Sequence, residues 1–477
     1  MPTQTPTVDY ERRQRTNALT PSETITSTSY RSMQGKEFPI YDGRHPEDQG
    51  IVSSTLAMPI SLYHPIFAKY LHWMSDGSIT PSPECIAATA RLMSAASVLY
   101  PTENDRKHAI RGPLQVVLGN TIRTVCNPDK TEADGQTIIA LNMNDSARAV
   151  PVLISEEKCE PGVDAATQAS LSMLRTWCDF NLDDFRNLGC CPTFLIGLDG
   201  CHLVICGAVL TNKCIVNRLA MLWVGRSSTH DEGNTVNIAR AFHALSLAIE
   251  ELERWYKDIA QHRPIYTSQA NDHPRFFPFP DRYPLNGEDF SAGTIQFKYL
   301  RPLEESSTCV TFLAQMQPNN RADKKHIVVK FVQSYSPELH QLLAEQRMAP
   351  DLLYCGRIDQ NTPLGNWKLV VMEYFDGRPS YERELHTTEQ VRRRVEDIVK
   401  FAHEHGFVLG DIRPPNVLVG ERNDVRMIDF DWAGKAGEVR YPAHMSTALW
   451  TSGIEPTVLI TKTHDNNMIQ KWFPHGS

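Results

Sequence analysis

The chain has 477 residues, with 48 Lys and Arg against 56 Asp and Glu for a net charge of −8, and is 41% hydrophobic, 9% aromatic and 22% charged. These values exclude a chain disordered throughout and a collagen-like fibre, disfavour a globally basic nucleic-acid binder, and supply apolar material for two cores. At about 150 residues per domain the length predicts roughly three units. No stretch reaches the about 20 apolar residues of a membrane span, because the most apolar one, 194–216, is broken by Asp199, His202 and Lys213. The polar N-terminus lacks the apolar core of a secretory signal, so cytoplasm or nucleus is the expected compartment. Eleven cysteines without a C-x-x-C, two of them adjacent at Cys190 and Cys191, predict thiols packed as small hydrophobes.

Residues 1–55, rich in Thr, Ser, Pro, Gln and Arg, read as a mobile tail. Helical patterning follows over 56–118, with Ile86, Ala90, Leu92 and Val98 marking one helix and Glu103–Ile110 another. Strands are predicted at 137–141 and 150–154, then a helix over Ala165–Asp179. Two more strands, Thr193–Leu198 and His202–Leu210, are joined by the Asp199-Gly200 turn, and another covers Ile215–Trp223. Ile238, Phe242, Leu245, Ile249, Leu252 and Tyr256 fall at helical spacing and mark the buried stripe of a long helix. Prolines 264, 274, 278, 280 and 284, interleaved with aromatics, mark a packed linker and a domain boundary. Beyond it, strands are predicted at Phe297–Leu300, Val310–Gln315, His326–Val332 and Leu369–Glu373, and helices at Pro337–Gln346 and Thr388–His403.

The clearest chemistry is Gly410-Asp411-Ile412-Arg413-Pro414-Pro415-Asn416, followed by Met427-Ile428-Asp429-Phe430-Asp431. Asp411 and Asn416 leave one loop together, and Asp429 follows thirteen residues later at a strand end. Phosphoryl transfer from ATP uses such a set: one carboxylate orients the attacking hydroxyl, while an Asn and a second carboxylate hold Mg²⁺ against the phosphates. Lys330, in the apolar run Ile327-Val328-Val329-Lys330, is placed to reach the α and β phosphates if a carboxylate from the next helix pins it, and Glu338 is the expected partner. This combination resembles the protein kinase-like fold, specifically the small fungal kinase-like domains, over about Phe290–Pro474. The resemblance implies that Asp411 is the catalytic-loop Asp, Arg413 its basic companion, Asn416 and Asp429 the metal ligands, and Lys330 with Glu338 the strand–helix ion pair. It further implies that Met372-Glu373-Tyr374-Phe375 is a hinge whose backbone at Glu373 and Phe375 binds adenine, and that Asp465 braces the catalytic loop.

The chain also departs from that family. No glycine-rich loop joins the first two strands, where Leu303–Val310 stands instead; Leu409-Gly410 replaces the usual His-Arg; and Asp431 replaces the glycine after Asp429-Phe430. Only 48 residues follow Asp429, which predicts a shortened C-terminal lobe.

In the N-terminal half, Glu156 and Lys158 end an apolar strand and share one face, since side chains alternate. A carboxylate and an ammonium so placed suit metal-assisted phosphodiester hydrolysis. Asp134, or alternatively Asp129, would supply a second ligand, Gln168 lies on the following helix and Glu103 on an earlier one. The arrangement resembles the PD-(D/E)xK restriction-endonuclease-like fold, as fused to kinase-like domains. Arg392-Arg393-Arg394 reads as a solvated helix face, Trp432 as lobe packing, and His403 and His405 as locally packed or solvated.

The expectation is therefore an α+β protein of two domains after a tail at 1–55: a restriction-endonuclease-like α/β domain at 56–262, a Pro/aromatic linker at 263–289, and a compact bilobal kinase-like domain at 290–477. The expected function is ATP- and Mg²⁺-dependent phosphotransfer to Ser or Thr hydroxyls of a protein substrate. Alternatives are a nucleotide-binding pseudokinase that regulates a metal-dependent nuclease-like domain contacting nucleic acid, and a degenerate interaction module. No membrane partner is expected.

Overall fold

The computed structural model describes residues 20–35, 39–47, 55–120, 122–123, 133–143, 146–159, 164–262, 273–317, 325–445 and 453–473. The chain divides into two units, the first running to Pro280 and taking in Glu305–Cys309 and Thr362–Leu364, the second holding the remainder. Among the described residues, no helix is long and apolar enough to cross a membrane.

The first unit begins with α1 (Pro21–Thr24), α2 (Ser27–Gln34) and β1 (Ile40–Tyr41). These residues fall in the segment expected to be a mobile tail. A Thr20–Glu23 capping box starts α1. Gln34 Nε2 donates to the Ile40 and Arg44 carbonyls at 2.9 and 2.8 Å, and Ile40 pairs in parallel with Cys214. Long-range pairing of this kind overrides a polar, aperiodic composition.

Helices α3 (Ile60–Tyr63), α4 (Pro65–Ser75), α5 (Pro83–Ala96) and α6 (Glu103–Leu118) come next. Ser82 and Thr102 cap α5 and α6 by accepting backbone amides three residues on. Strands β2 (Gly135–Met143) and β3 (Ser146–Lys158) precede α7 (Ala165–Trp177) and the short α8 (Asp183–Arg186). Then come β4 (Thr193–Asp199), β5 (His202–Leu210), β6 (Cys214–Trp223) and the 31-residue α9 (Glu232–His262). The sheet order is β1-β6-β5-β4-β3-β2. Strands β3 and β4 are parallel neighbours, so α7 is their crossover. A Cβ on Gly197 would lie 2.3 Å from the Ala166 backbone nitrogen, so glycine is what lets α7 lie against β4. The stripe from Ile238 to Tyr256 on α9 is buried in the core of this unit, and Cys190, Cys206 and Cys214 are buried thiols.

The second unit starts at Asp281, inside the segment read as linker. Its six-stranded antiparallel sheet comprises β7 (Arg282–Asn286), β8 (Asp289–Pro302), β9 (Thr311–Gln317), β10 (His326–Val332), β11 (Leu352–Arg357) and β12 (Lys368–Glu373), in the order β11-β12-β10-β9-β8-β7. Pro284 hid β7 from the sequence pattern; proline is tolerated here because β7 is the edge strand. Helix α10 (Pro337–Glu345) lies between β10 and β11 in the chain. The rest consists of β13 (Arg378–Pro379), α11 (Glu389–Glu404), β14 (Phe407–Val408), β15 (Val417–Val419), β16 (Val425–Met427), β17 (Gly434–Lys435) and α12 (Lys462–Trp472). Val391, Val395, Ile398, Val399 and Ala402 give α11 an apolar face in a core shared with β14–β16 and α12. Arg392, expected on a solvated face, is buried: it donates to the Phe473 carbonyl at the end of α12 at 2.7 Å.

Candidate functional site

Alternation along β10 turns Ile327, Val329 and Phe331 to one face and Lys330 to the other, beside Val328 and Val332. The Lys330 ammonium is buried and meets two carboxylates, Asp429 Oδ1 at 2.8 Å and Asp431 Oδ1 at 2.6 Å. Burial opposes the charge on Lys330, but the two carboxylates hold its pKa above the ordinary value. Burial likewise opposes ionisation of Asp429, and the Lys330 ammonium prevails and holds that carboxyl low. Burial and the neighbouring Asp429 push Asp431 up.

Asp429 follows β16 and takes a left-handed backbone, φ +68°, which Asp tolerates better than most residues. Ile428 N donates to the Asn416 carbonyl at 2.9 Å, tying this segment to the loop that holds Asp411 and Asn416. Phe430, between the two carboxylates, is fully buried. It stacks on His340 of α10 with ring centroids 4.8 Å apart and meets Tyr335 edge-on, while its carbonyl accepts the Ser336 amide at 3.2 Å. His340 Nε2 lies 2.8 Å from the Pro350 carbonyl, which can only accept, so Nε2 carries the proton and Nδ1 accepts from the Tyr335 hydroxyl at 2.7 Å. Burial lowers the His340 pKa to about 4 and keeps this neutral tautomer.

The expected Lys330–Glu338 ion pair does not form. Glu338 is exposed in the first turn of α10, because Leu339, His340 and Leu343 take the buried face. Asp431 stands where the helix carboxylate was expected.

Asp411 follows β14. Gly410, with φ +80°, has no room for a side chain: a Cβ would lie 2.8 Å from Ile460 Cδ1. Fully buried Asp465 of α12 accepts the Gly410 amide at 2.8 Å, the Leu409 amide at 3.0 Å and His403 Nε2 at 2.8 Å. His403 thus belongs to the support of this loop, a role its sequence surroundings did not indicate. Asn416 Nδ2 donates to the Asp411 carbonyl at 3.0 Å and to Asp411 Oδ2 at 2.9 Å. Arg413 Nε donates to Oδ2 at 3.1 Å and lies 2.8 Å from Oδ1. Oδ1 is buried and accepts no hydrogen bond of good geometry. Burial pushes Asp411 up to about 6, against the pull of Arg413 and with the push of Asp429.

No family model matches the chain. Among curated proteins it is 32% identical over 80 residues to the serine/threonine-protein kinase PknB of Mycolicibacterium smegmatis, covering 15% of this chain and 13% of that protein. It is 20% identical over 191 residues to Aurora kinase C of Mus musculus, covering 37% of this chain and 66% of the mouse protein. The chain carries a kinase-like domain. Among solved structures it is similar to the granulovirus kinase PK-1 of Cydia pomonella granulovirus, at 17% identity and a TM-score of 0.27, covering 36% of this chain and 65% of that one. The chain spans less than two thirds of the length of each of these proteins.

Of the hinge residues expected to contact adenine in the kinase-like domain, Glu373 already donates its amide to the Asp351 carbonyl at 2.9 Å, and Phe375 accepts the Gly377 amide on its carbonyl at 2.9 Å. The Arg426 guanidinium lies 4.8 Å from the centroid of the Phe375 ring.

The N-terminal set also converges. Fully buried Glu156 accepts from Gln168 Nε2 at 2.8 Å and Ser172 Oγ at 2.7 Å, both on α7. Burial raises its pKa, and the Asp134 carboxylate, within hydrogen-bonding reach, raises it further. Asp134 Oδ2 accepts the Glu157 amide at 2.8 Å, and Asp134 Oδ1 meets Lys107 at 2.6 Å. Lys107 and Lys158 share Glu103, at 2.8 and 3.2 Å. Lys107 was missed in the sequence, although its spacing of four from Glu103 on α6 places the two side by side. Asp129 lies outside the described residues.

Proposed function

We propose that the kinase-like domain is a Mg²⁺- and ATP-dependent phosphotransferase acting on Ser or Thr hydroxyls of a protein substrate. The observation that carries this reading is the buried Asp411 carboxylate, whose Oδ1 is ion-paired with Arg413 at 2.8 Å but accepts no hydrogen bond of good geometry, in a loop that also holds Asn416 and is tied to Asp429. An attacking hydroxyl would donate to that carboxylate, and Asp411 would take its proton as the new bond to the γ phosphorus forms and the bond from that phosphorus to the β–γ bridging oxygen breaks, releasing ADP. Arg413 and the Asn416 amide hold the carboxylate in place. Lys330 would contact the α and β phosphates.

Among the described residues no three His, Cys, Asp or Glu side chains form a metal cage. Mg²⁺ is usually held by one or two carboxylates together with substrate phosphates and water. Asp429 would be one ligand. Asn416 donates through Nδ2, which leaves its side-chain carbonyl oxygen as the other. The ion would supply charge neutralisation between the β and γ phosphates. The test is a thermal shift with ATP and Mg²⁺ followed by transfer of labelled phosphate to a Ser/Thr-bearing protein. ATP with Mg²⁺ should raise the melting temperature, and Asp429→Ala should abolish the shift. An unshifted wild type overturns the reading.

A second reading is favoured by the convergence of Asp134, Glu156, Lys158 and Gln168. We infer that the first unit is restriction-endonuclease-like and hydrolyses nucleic-acid phosphodiesters with a divalent metal held by Asp134 and Glu156, under regulation by nucleotide in the kinase-like domain. Metal-dependent DNA cleavage that survives Asp411→Ala but is lost in Lys158→Ala supports it. No cleavage with Mg²⁺ or Mn²⁺ refutes it.

A further inference from the structure

A lysine that contacts nucleotide phosphates must stay charged and correctly aimed when its apo partners are drawn away. Lys330 is buried, so its ammonium needs an anionic partner before the phosphates arrive, and a carboxylate that stays in place afterwards fixes its aim. Glu338 does not supply it, since that side chain faces outward from α10. Asp429 does so only in part: as a metal ligand its oxygens would turn toward the cation. That leaves Asp431, whose Oδ1 lies 2.6 Å from Lys330 Nζ.

Asp431 is also held for this task. It follows Phe430, whose ring is stacked on His340 and whose carbonyl is fixed by the Ser336 amide. His340 is fixed in turn by Tyr335 and the Pro350 carbonyl. Helix α10 and the turn before it therefore act on the lysine indirectly, by clamping Phe430 and with it the carboxylate on the next residue. A glycine at 431 would leave Lys330 with Asp429 alone.

We propose that Asp431 is the positioning residue for Lys330, the permanent carboxylate partner that keeps the ammonium aimed at the nucleotide phosphates once Asp429 engages Mg²⁺. The inference rests on the phosphotransferase reading of the same site.

The experiment is calorimetric titration of the full chain with Mg²⁺ and a non-hydrolysable ATP analogue, AMPPNP. Asp431→Asn should weaken binding about ten-fold, whereas Glu338→Gln should stay within two-fold of wild type. Asp431→Glu, which keeps the charge, should recover most of the loss. In a Lys330→Met background, which binds weakly, Asp431→Asn should cost less than two-fold further, because a positioning residue has no effect without the group it positions. If Asp431→Asn does not fold, Asp431→Ser takes its place with the same expectations. Binding by Asp431→Asn within two-fold of wild type, or an undiminished penalty in the Lys330→Met background, overturns the assignment of Asp431 while leaving the phosphotransferase reading intact. A wild type that binds no Mg²⁺·AMPPNP overturns both.

Discussion

Asp465 accepts the amide of Gly410 at 2.8 Å across 55 residues of chain, so helix α12 directly holds the loop that presents Asp411. With the Leu409 amide and His403 on the other oxygen, the buried carboxylate has three donors. Asp465→Asn replaces one acceptor oxygen with a donor that faces an N–H. Stability should fall by about 1.5–3 kcal/mol, the range for hydrogen bonds to a charged group. Phosphotransfer should fall about 100-fold through misplacement of Asp411, with nucleotide affinity nearly unchanged. Paired measurements of kcat and ATP binding separate the two effects; equal losses in both would show that Asp465 supports the whole cleft and not the loop alone.

Lys330 sits between two carboxylates, which sets an order among variants. Lys330→Met leaves Asp429 and Asp431 facing each other without a cation and should cost about 3 kcal/mol, as for a broken buried pair. Adding Asp431→Asn removes one of the stranded charges and should return part of that loss. Denaturant melts of the single and double variants read this directly, and a double variant no more stable than Lys330→Met would contradict the pairing.

His340 links stability to pH. Its pKa is lowered to about 4 in the folded state, below the ordinary 6.5, so between those values the unfolded chain binds the extra proton. The contribution is complete above pH 6.5 and is lost as pH falls toward 4, amounting to about 3 kcal/mol over the window. Chemical denaturation of the kinase-like domain at several pH values should show this decline. In His340→Asn the decline should shrink, leaving a loss that does not vary with pH.

In the first unit, Glu156 is buried beside Asp134, so neutralising it relieves repulsion. Glu156→Gln should raise the melting temperature without metal, by the equivalent of about 1 kcal/mol, and abolish any stabilisation by Mn²⁺. A lowered melting temperature with the Mn²⁺ effect retained would remove Glu156 from the ligand set.

The local motif at Asp411, Asn416 and Asp429 was legible because its residues lie close in sequence, on one loop and the strand end after it. Of the residues that support it, Asp465 was expected from the resemblance and His403 was not: His403 reaches Asp465 across 62 residues, and no neighbour of His403 marks the pairing. Glu338 was misassigned although the pattern was present: Leu339 and Leu343, four apart, define the inward face of α10 and put residue 338 outside it. Asp431 was seen as a departure from the family pattern, but its contact with Lys330 depends on how α10 clamps Phe430, which no spacing encodes. Within the stretch read as a tail, α1, α2 and β1 carried one local sign, the Thr20–Glu23 capping box.

The clamp on Phe430 also bears on inhibitor chemistry. A compound that gains its affinity by displacing that ring would first have to unstack it from His340, and it would leave the Tyr335–His340–Pro350 chain of hydrogen bonds without its packing. Compounds that occupy the cleft without moving Phe430 face no such cost, so a screen against this protein should be enriched in ligands of the second kind.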